Sequence, residues 1–304
     1  MYGPVPSRRL GLSLGVDIIP FKTCTLSCIY CQVGRTPKTT LKRYEYIPAK
    51  KVLDEIDERL KSSLRTDWIT FSGSGEPTLN SAIGDIIRGI KQLTGIPVCV
   101  ITNGTLLWNP RVRRDILDAD AVMPSLDSAV EETFRTMCRP HPDLSVGKII
   151  DGLIRFRREY RGNLWLEIML LEDINDSPPE LEALKAAVAG ISPDAVQFNT
   201  VARPPAEVSA KPLSRERMEE IRDFFGDKAE IIASFKGDSP QQASTGIGNV
   251  REYLKRRPGS TEDIAASLGI TNEEAESMLK SLQDSGEIEL SEYFGKRFWE
   301  YRQQ

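Results

Sequence analysis

The chain is 304 residues long, 40% hydrophobic and 28% charged, with a formal net charge of −4, enough to bury a full core and to hold one large domain beside a small one. A single histidine, His141, excludes mechanisms that need two imidazoles, a two-histidine zinc hydrolase among them, and five cysteines in a chain this long do not make a disulfide framework. Apolar runs are short and the opening residues lack the regions of a signal peptide, so a cytoplasmic protein without a membrane segment is expected.

Residues 1–46 hold Arg8, Arg9, Lys22, Arg35, Lys38, Lys42 and Arg43 against only Asp17 and Glu45, a local excess of five positive charges. Such a lip either attracts an anionic substrate or partner or is a solvated face. From there the chain alternates short apolar runs with helical patterns. Strands are predicted at 14–18, 68–71, 98–101, 121–124, 164–169, 195–198 and 230–232. Between them Val52, Leu53, Ile56 and Leu60, and then Ile83, Ile86, Ile87, Ile90 and Leu93, recur at the spacing of a single helix face. This is the pattern of a parallel sheet with crossover helices, either open or curled toward a barrel, with its site at the C-terminal strand ends.

Polar and glycine-rich segments follow those ends. Ser72 to Pro77 follows 68–71, Thr102-Asn103-Gly104 follows 98–101, Ser125-Leu126-Asp127 follows 121–124, and Asn199-Thr200 completes 195–198. Gly, Ser, Pro and Gln then replace the apolar periodicity, which sets the boundaries at 1–235 for the large domain, 236–248 for a linker and 249–304 for the small one. The small domain reads as a winged helix-turn-helix. Ser260 or Thr261 caps a helix that Gly269 ends, Thr271 or Asn272 caps the next, and a hairpin follows around Gly295. It carries eight cations against eleven carboxylates, and its recognition helix opens Asn272-Glu273-Glu274-Ala275-Glu276. That charge opposes phosphate contacts, so a protein or peptide partner is expected on it rather than DNA.

Cys24, Cys28 and Cys31 space three thiols by four and then three residues. Such a loop can wrap three corners of an iron–sulfur cluster and leave the fourth iron open to a ligand. The competing reading is a zinc site completed by Cys99, Cys138 or His141, although a second close pair of ligands is missing.

The Cys-x3-Cys-x2-Cys spacing, with aromatic Tyr30 before the last cysteine, resembles the radical S-adenosylmethionine superfamily over about residues 1–235. The resemblance implies a partial (β/α)6 TIM-like barrel, a 4Fe-4S cluster on Cys24, Cys28 and Cys31, and bound S-adenosylmethionine. It implies an enzyme that cleaves this cofactor to a 5'-deoxyadenosyl radical, which abstracts hydrogen from a peptide, small molecule or RNA base, with a flavodoxin- or ferredoxin-like electron donor. In its terms Gly73, Ser74, Gly75 and Glu76 hold the methionine amino group, with Ser74 where a glycine is common. Tyr30 packs near adenine, and Asn103, Ser125 and Asp127 bond ribose or carboxylate. Residues 2–11, 71–79 and 199–205 further resemble the group related to the tRNA wyosine-base synthase. No cysteine precedes Cys24, so the extra cluster of that synthase lacks ligands here.

Other residues read two ways. Cys138 and His141 are candidate catalytic groups or packing and loop residues, and Cys99 is a buried strand residue. Arg203 holds an anion or an ion pair, and Glu167 faces into the barrel or out of it. The rival to an enzyme is an iron–sulfur sensor that regulates transcription through the winged helix, which would call for a basic recognition helix.

Overall fold

The computed structural model describes residues 1–7, 9–61, 65–232, 246–255 and 257–302. Eight strands form one sheet in chain order: β1 (Tyr2–Ser7), β2 (Gly11–Val16), β3 (Trp68–Phe71), β4 (Val98–Thr102), β5 (Ala121–Pro124), β6 (Asn163–Leu170), β7 (Ala195–Thr200) and β8 (Ala229–Ile231). β1 is antiparallel to β2, and every later pairing is parallel. β1 and β8 end the order without pairing to each other, so the sheet curls but does not close. Six strand–helix units followed by β8 give the α/β partial barrel expected.

The helices are α1 (Ala49–Leu60), α2 (Ile83–Leu93), α3 (Pro110–Asp115), α4 (Glu131–Cys138), α5 (Val146–Glu159), α6 (Pro178–Ile191) and α7 (Arg215–Phe225). They pack on the convex face, where Leu14, Val16, Ile69, Phe71, Val98, Val100, Leu164, Leu166 and Ile168 are buried in one continuous core. The stripe read on α2 accounts for its place, because Ile83, Ile86, Ile87 and Ile90 are all fully buried. Each contributes about 1.5–3 kcal/mol as an upper estimate. Leu93 ends the helix outside this core and is exposed.

Alternate residues face the lumen. At its floor Leu10, Cys99, Ala121 and Met123 form a separate buried cluster, with Trp68 and Trp165 against it. Cys99 is thus the buried strand residue its setting predicted. Two strands differ from expectation. β1 was not anticipated, and β2 lies at 11–16 rather than 14–18, because β1 carries a glycine and two prolines and β2 two glycines, residues that normally break strands. β1 pairs on one side only, and proline is tolerated in such an edge strand.

The C-terminal residues form α8 (Ile247–Leu254), α9 (Thr261–Leu268), α10 (Asn272–Asp284), β9 (Ile288–Tyr293) and β10 (Lys296–Tyr301), the element order anticipated. Ser260 caps α9, Gly269 ends it in the left-handed conformation, and Thr271 with Glu274 makes a capping box on α10. This unit has its own core of Val250, Leu254, Ile264, Leu279, Leu282 and Ile288. The linker expected at 236–248 lies outside the described residues except for Gly246, Ile247 and Gly248, the last two already in α8. Among the described residues no helix is long and apolar enough to cross a membrane.

Candidate active site

The long loop from β2 to α1 carries Cys24, Cys28 and Cys31 across the C-terminal end of the sheet. Asn80 holds both ends of it: its amide nitrogen donates to the carbonyls of Ile18 (3.0 Å) and Ile47 (3.3 Å), and it is fully buried. Arg43 adds bonds to the carbonyls of Thr78 and Asn80 and to Asp115. The far side is laced to the end of α4, where Ser27 N–H and Ile29 N–H donate to the carbonyls of Cys138 and Met137, and His141 N–H donates to that of Thr25.

The thiols are half-buried and free of disulfides. Lys22 Nζ donates to Cys31 Sγ at 3.5 Å, and Asn103 Nδ2 lies 3.5 Å from Cys24 Sγ. Burial pushes the Cys24 thiol up to about 12, with the Glu76 carboxylate adding to it, and burial also raises Cys31 against the pull of Lys22. Iron would offset this cost, because coordinating thiols are deprotonated outright.

Among the described residues no three His, Cys, Asp or Glu side chains gather closely enough for a single metal ion. Three free thiols on one loop are the donor set that an iron–sulfur cluster takes. The zinc reading loses two of its fourth ligands, since Cys99 lies in the lumen floor and the His141 ring lies against Asp143. The basic lip is largely engaged within the protein. Arg9, Arg35 and Arg43 pair with Glu167, Glu207 and Asp115, and Lys22 turns to Cys31 and the Gly34 carbonyl. Arg8 lies outside the described residues.

The segment from Gly73 to Glu76 follows β3 directly beside this loop. Asp17 Oδ2 accepts from Ser74 N–H (3.0 Å) and from its hydroxyl (2.6 Å), which gives the serine a role where the family commonly has glycine. The segment is tied to the thiol loop by Lys22 N–H to the Ser74 carbonyl and Glu76 N–H to the Thr23 carbonyl. Gly73 has φ +151°, and a Cβ there would stand 2.3 Å from Asp17 Cγ; at Gly75 it would stand 2.0 Å from the Thr23 carbonyl oxygen. Only glycine allows these approaches.

Glu76 is buried, and its carboxylate accepts from Thr78 N–H, Thr78 Oγ1, Thr102 Oγ1 and Asn103 N–H. These bonds favour its charge, yet burial outweighs them and its pKa is raised. The carboxylate therefore joins the ends of β3 and β4 through protein donors. Asn103 continues the line, its side chain bonded to Thr25 and Thr105.

Asp127 is also buried. Oδ1 accepts from Met169 N–H (2.9 Å), and Oδ2 accepts from the Tyr30 hydroxyl and from Cys138 Sγ (3.6 Å). Burial raises Asp127 to about 6. The Tyr30 hydroxyl is raised by burial first and by Asp127 second, and the Cys138 thiol by its bond to Cys28 first and burial second. Ser125 is half-buried at the end of β5, and its hydroxyl has no protein partner among the described residues.

Glu167 faces the lumen, where it pairs with Arg9 and accepts from Asn199 Nδ2 at 3.4 Å, while Arg9 also reaches Gln197 (2.9 Å). Above the floor a cavity of about 1730 Å³ runs from Ser13, Thr70 and Ile101 out between β1 and the residue after β8, Ile232, to the C-terminal unit. Arg203 stands at this seam with Nε 3.5 Å from Asp263 Oδ2 on α9, the ion pair of its two readings. Asp17 and Lys22 enter the sequence reading only as charges, Thr102 only as part of a polar segment, and Asn80 not at all, because their roles depend on contacts that the fold makes.

Comparisons with known proteins bear on this arrangement. The sequence model of the radical SAM superfamily matches residues 18–184. A protein of Brachyspira hyodysenteriae called GTPase Obg is 40% identical over 95% of this chain, which spans only 43% of that protein. A UPF0026 protein of Methanocaldococcus jannaschii is 33% identical over 98% of this chain and 94% of its own length. A radical SAM methyltransferase from Sphaerobacter thermophilus shares the fold at a TM-score of 0.56 and 20% identity, over 74% of this chain and 67% of that one.

Proposed function

Because the chain belongs to the radical SAM superfamily, whose members bind a 4Fe-4S cluster and S-adenosylmethionine, we propose that Cys24, Cys28 and Cys31 hold that cluster and that the adjoining rim binds the cofactor. The observation that carries the assignment is the meeting of three thiols, the Gly73 to Glu76 segment and Asn103 at the C-terminal ends of neighbouring strands.

A 4Fe-4S cluster held by Cys24, Cys28 and Cys31 would supply the one-electron reducing chemistry on which radical use of S-adenosylmethionine depends. The chain's own residues prepare the place. Lys22 and Asn103 offer hydrogen bonds to thiolate sulfur, and Asn80 and Arg43 fix the loop. Gly73 and Gly75 let the backbone come close enough to present its polar groups to an amino acid moiety, while Asp17 holds that backbone at Ser74 and the Glu76 carboxylate ties its end to Thr78, Thr102 and Asn103. The Ser125 hydroxyl, without a protein partner among the described residues, is a polar group on the rim open to a ligand. Asp127 fixes Tyr30 from behind. A flavodoxin- or ferredoxin-like protein is the proposed electron donor. The regulatory alternative gains no support, and the narrower kinship with the wyosine group rests on its three sequence segments alone.

The test is anaerobic reconstitution with iron and sulfide, reduction with dithionite, and detection of 5'-deoxyadenosine by mass spectrometry. Formation of the product from S-adenosylmethionine supports the reading. Fully cluster-loaded protein that never yields it, alone or with candidate substrates, sinks it.

A further inference from the structure

The C-terminal unit turns a defined face toward the barrel. On α10, Asn272, Glu276, Lys280 and Gln283 are spaced by four, four and three residues, one side of the helix, and all line the cavity that continues into the lumen. The hairpin adds Leu290, Lys296 and Arg297 to the same wall. Lys280, Lys296 and Arg297 are exposed, and their side chains have no partner among the described residues. Leu290, beside them, is 41% exposed.

Lys280, Lys296 and Arg297 form no ion pair among the described residues, with Glu276 one turn from Lys280 and Glu292 across the hairpin from Arg297. Three cations against these two carboxylates, on a wall shared with an exposed leucine, suit a partner that is both anionic and apolar. A nucleic acid meets this poorly. Glu273, Glu274 and Glu276 stand in the first turns of α10 and would repel a continuous line of phosphates, and the unit as a whole has more carboxylates than cations. A peptide with a few carboxylates next to an aliphatic side chain meets both demands.

We propose that this face binds an acidic, partly apolar peptide segment and presents it to the barrel lumen, so that the substrate of the enzyme is a peptide. The inference rests on the radical reading for its chemistry, but the binding itself requires no cluster.

The experiment is fluorescence anisotropy at low ionic strength on the full chain, both apo and cluster-loaded. The probes are a fluorescein-labelled peptide of glutamate, leucine and serine, its counterpart with lysine for glutamate, and a short single-stranded RNA of matched charge. The expected result is a preference for the acidic peptide over the basic one of about ten-fold or more, weakened to a similar extent by Lys280→Glu, Lys296→Glu and Arg297→Glu together. Circular dichroism verifies the fold of that variant, and Lys280→Glu alone replaces it if the fold is lost. Equal affinity for the two peptides, indifference to charge reversal, or preference for RNA overturns the proposal. Peptide preference without 5'-deoxyadenosine formation would remove the radical reading and keep the surface, and the opposite pair of results would do the reverse.

Discussion

Asp127 sits where burial and hydrogen bonding compete, and its titration makes that competition measurable. Its carboxyl, raised to about 6 in the fold from an unfolded value near 3.9, binds more protons folded than unfolded between those limits. Stability therefore falls as pH rises through the window from about 4 to 6, by roughly 3 kcal/mol at full ionisation. Asp127→Asn should flatten this dependence of the unfolding midpoint, whereas Asp127→Ala should cost about 1–3 kcal/mol at every pH by leaving the buried Met169 N–H and Tyr30 hydroxyl unpaired. For the thiols, Cys24→Ala, Cys28→Ala and Cys31→Ala should each abolish bound iron, measured by iron and sulfide content. Cys99→Ala should retain it, because that thiol is in the lumen floor. The three ligand candidates were legible because their spacing lies within eight residues. Asp17 and Asn80 were not, since each works by touching backbone or loop segments brought near only by the fold.

At the scale of elements, strands read from apolar runs came out within a residue or two. β3, β4, β5 and β7 are buried on the convex side by hydrophobic residues that mark them plainly. β1 and β2 were obscured because their lumen side is lined by small or polar groups. Tyr2 fills the space over Gly15, and Ser13 bonds Thr70; β2 alternates Leu12, Leu14 and Val16 with Ser13 and Gly15 but its glycines interrupt the apolar run, and β1 has Val5 as its one aliphatic residue. The turn after β3 offers a sharp test of close packing. Gly75→Ala drives a methyl group into the Thr23 carbonyl and should displace the thiol loop, lowering both iron retention and S-adenosylmethionine affinity by titration calorimetry. Gly147→Ala on α5 meets open space and should be neutral or stabilising by up to about 1 kcal/mol in urea unfolding. In α10, Thr271→Ala removes a capping box and should cost about 1 kcal/mol.

Across the whole molecule, the unclosed sheet and the C-terminal unit make one cavity wall between them, which periodicity alone had no means to reveal. Arg203 and Asp263 join the two parts across the seam, and α9 packs on β1. Reversing either charge should speed hydrogen exchange of the β1 amides, and the double reversal Arg203→Asp with Asp263→Arg should restore protection, read by mass spectrometry. The effect should stay within about 1 kcal/mol, because the pair is partly exposed.

The separate core of the C-terminal unit has a further consequence for how such a protein diversifies. The thiol loop is held by Asn80, Arg43 and the end of α4, and none of these belongs to the unit that covers the seam. If the proposed roles hold, partner selection and generation of a reactive species would fall to parts with separate cores, so the cover could be exchanged or reshaped without retuning the rim.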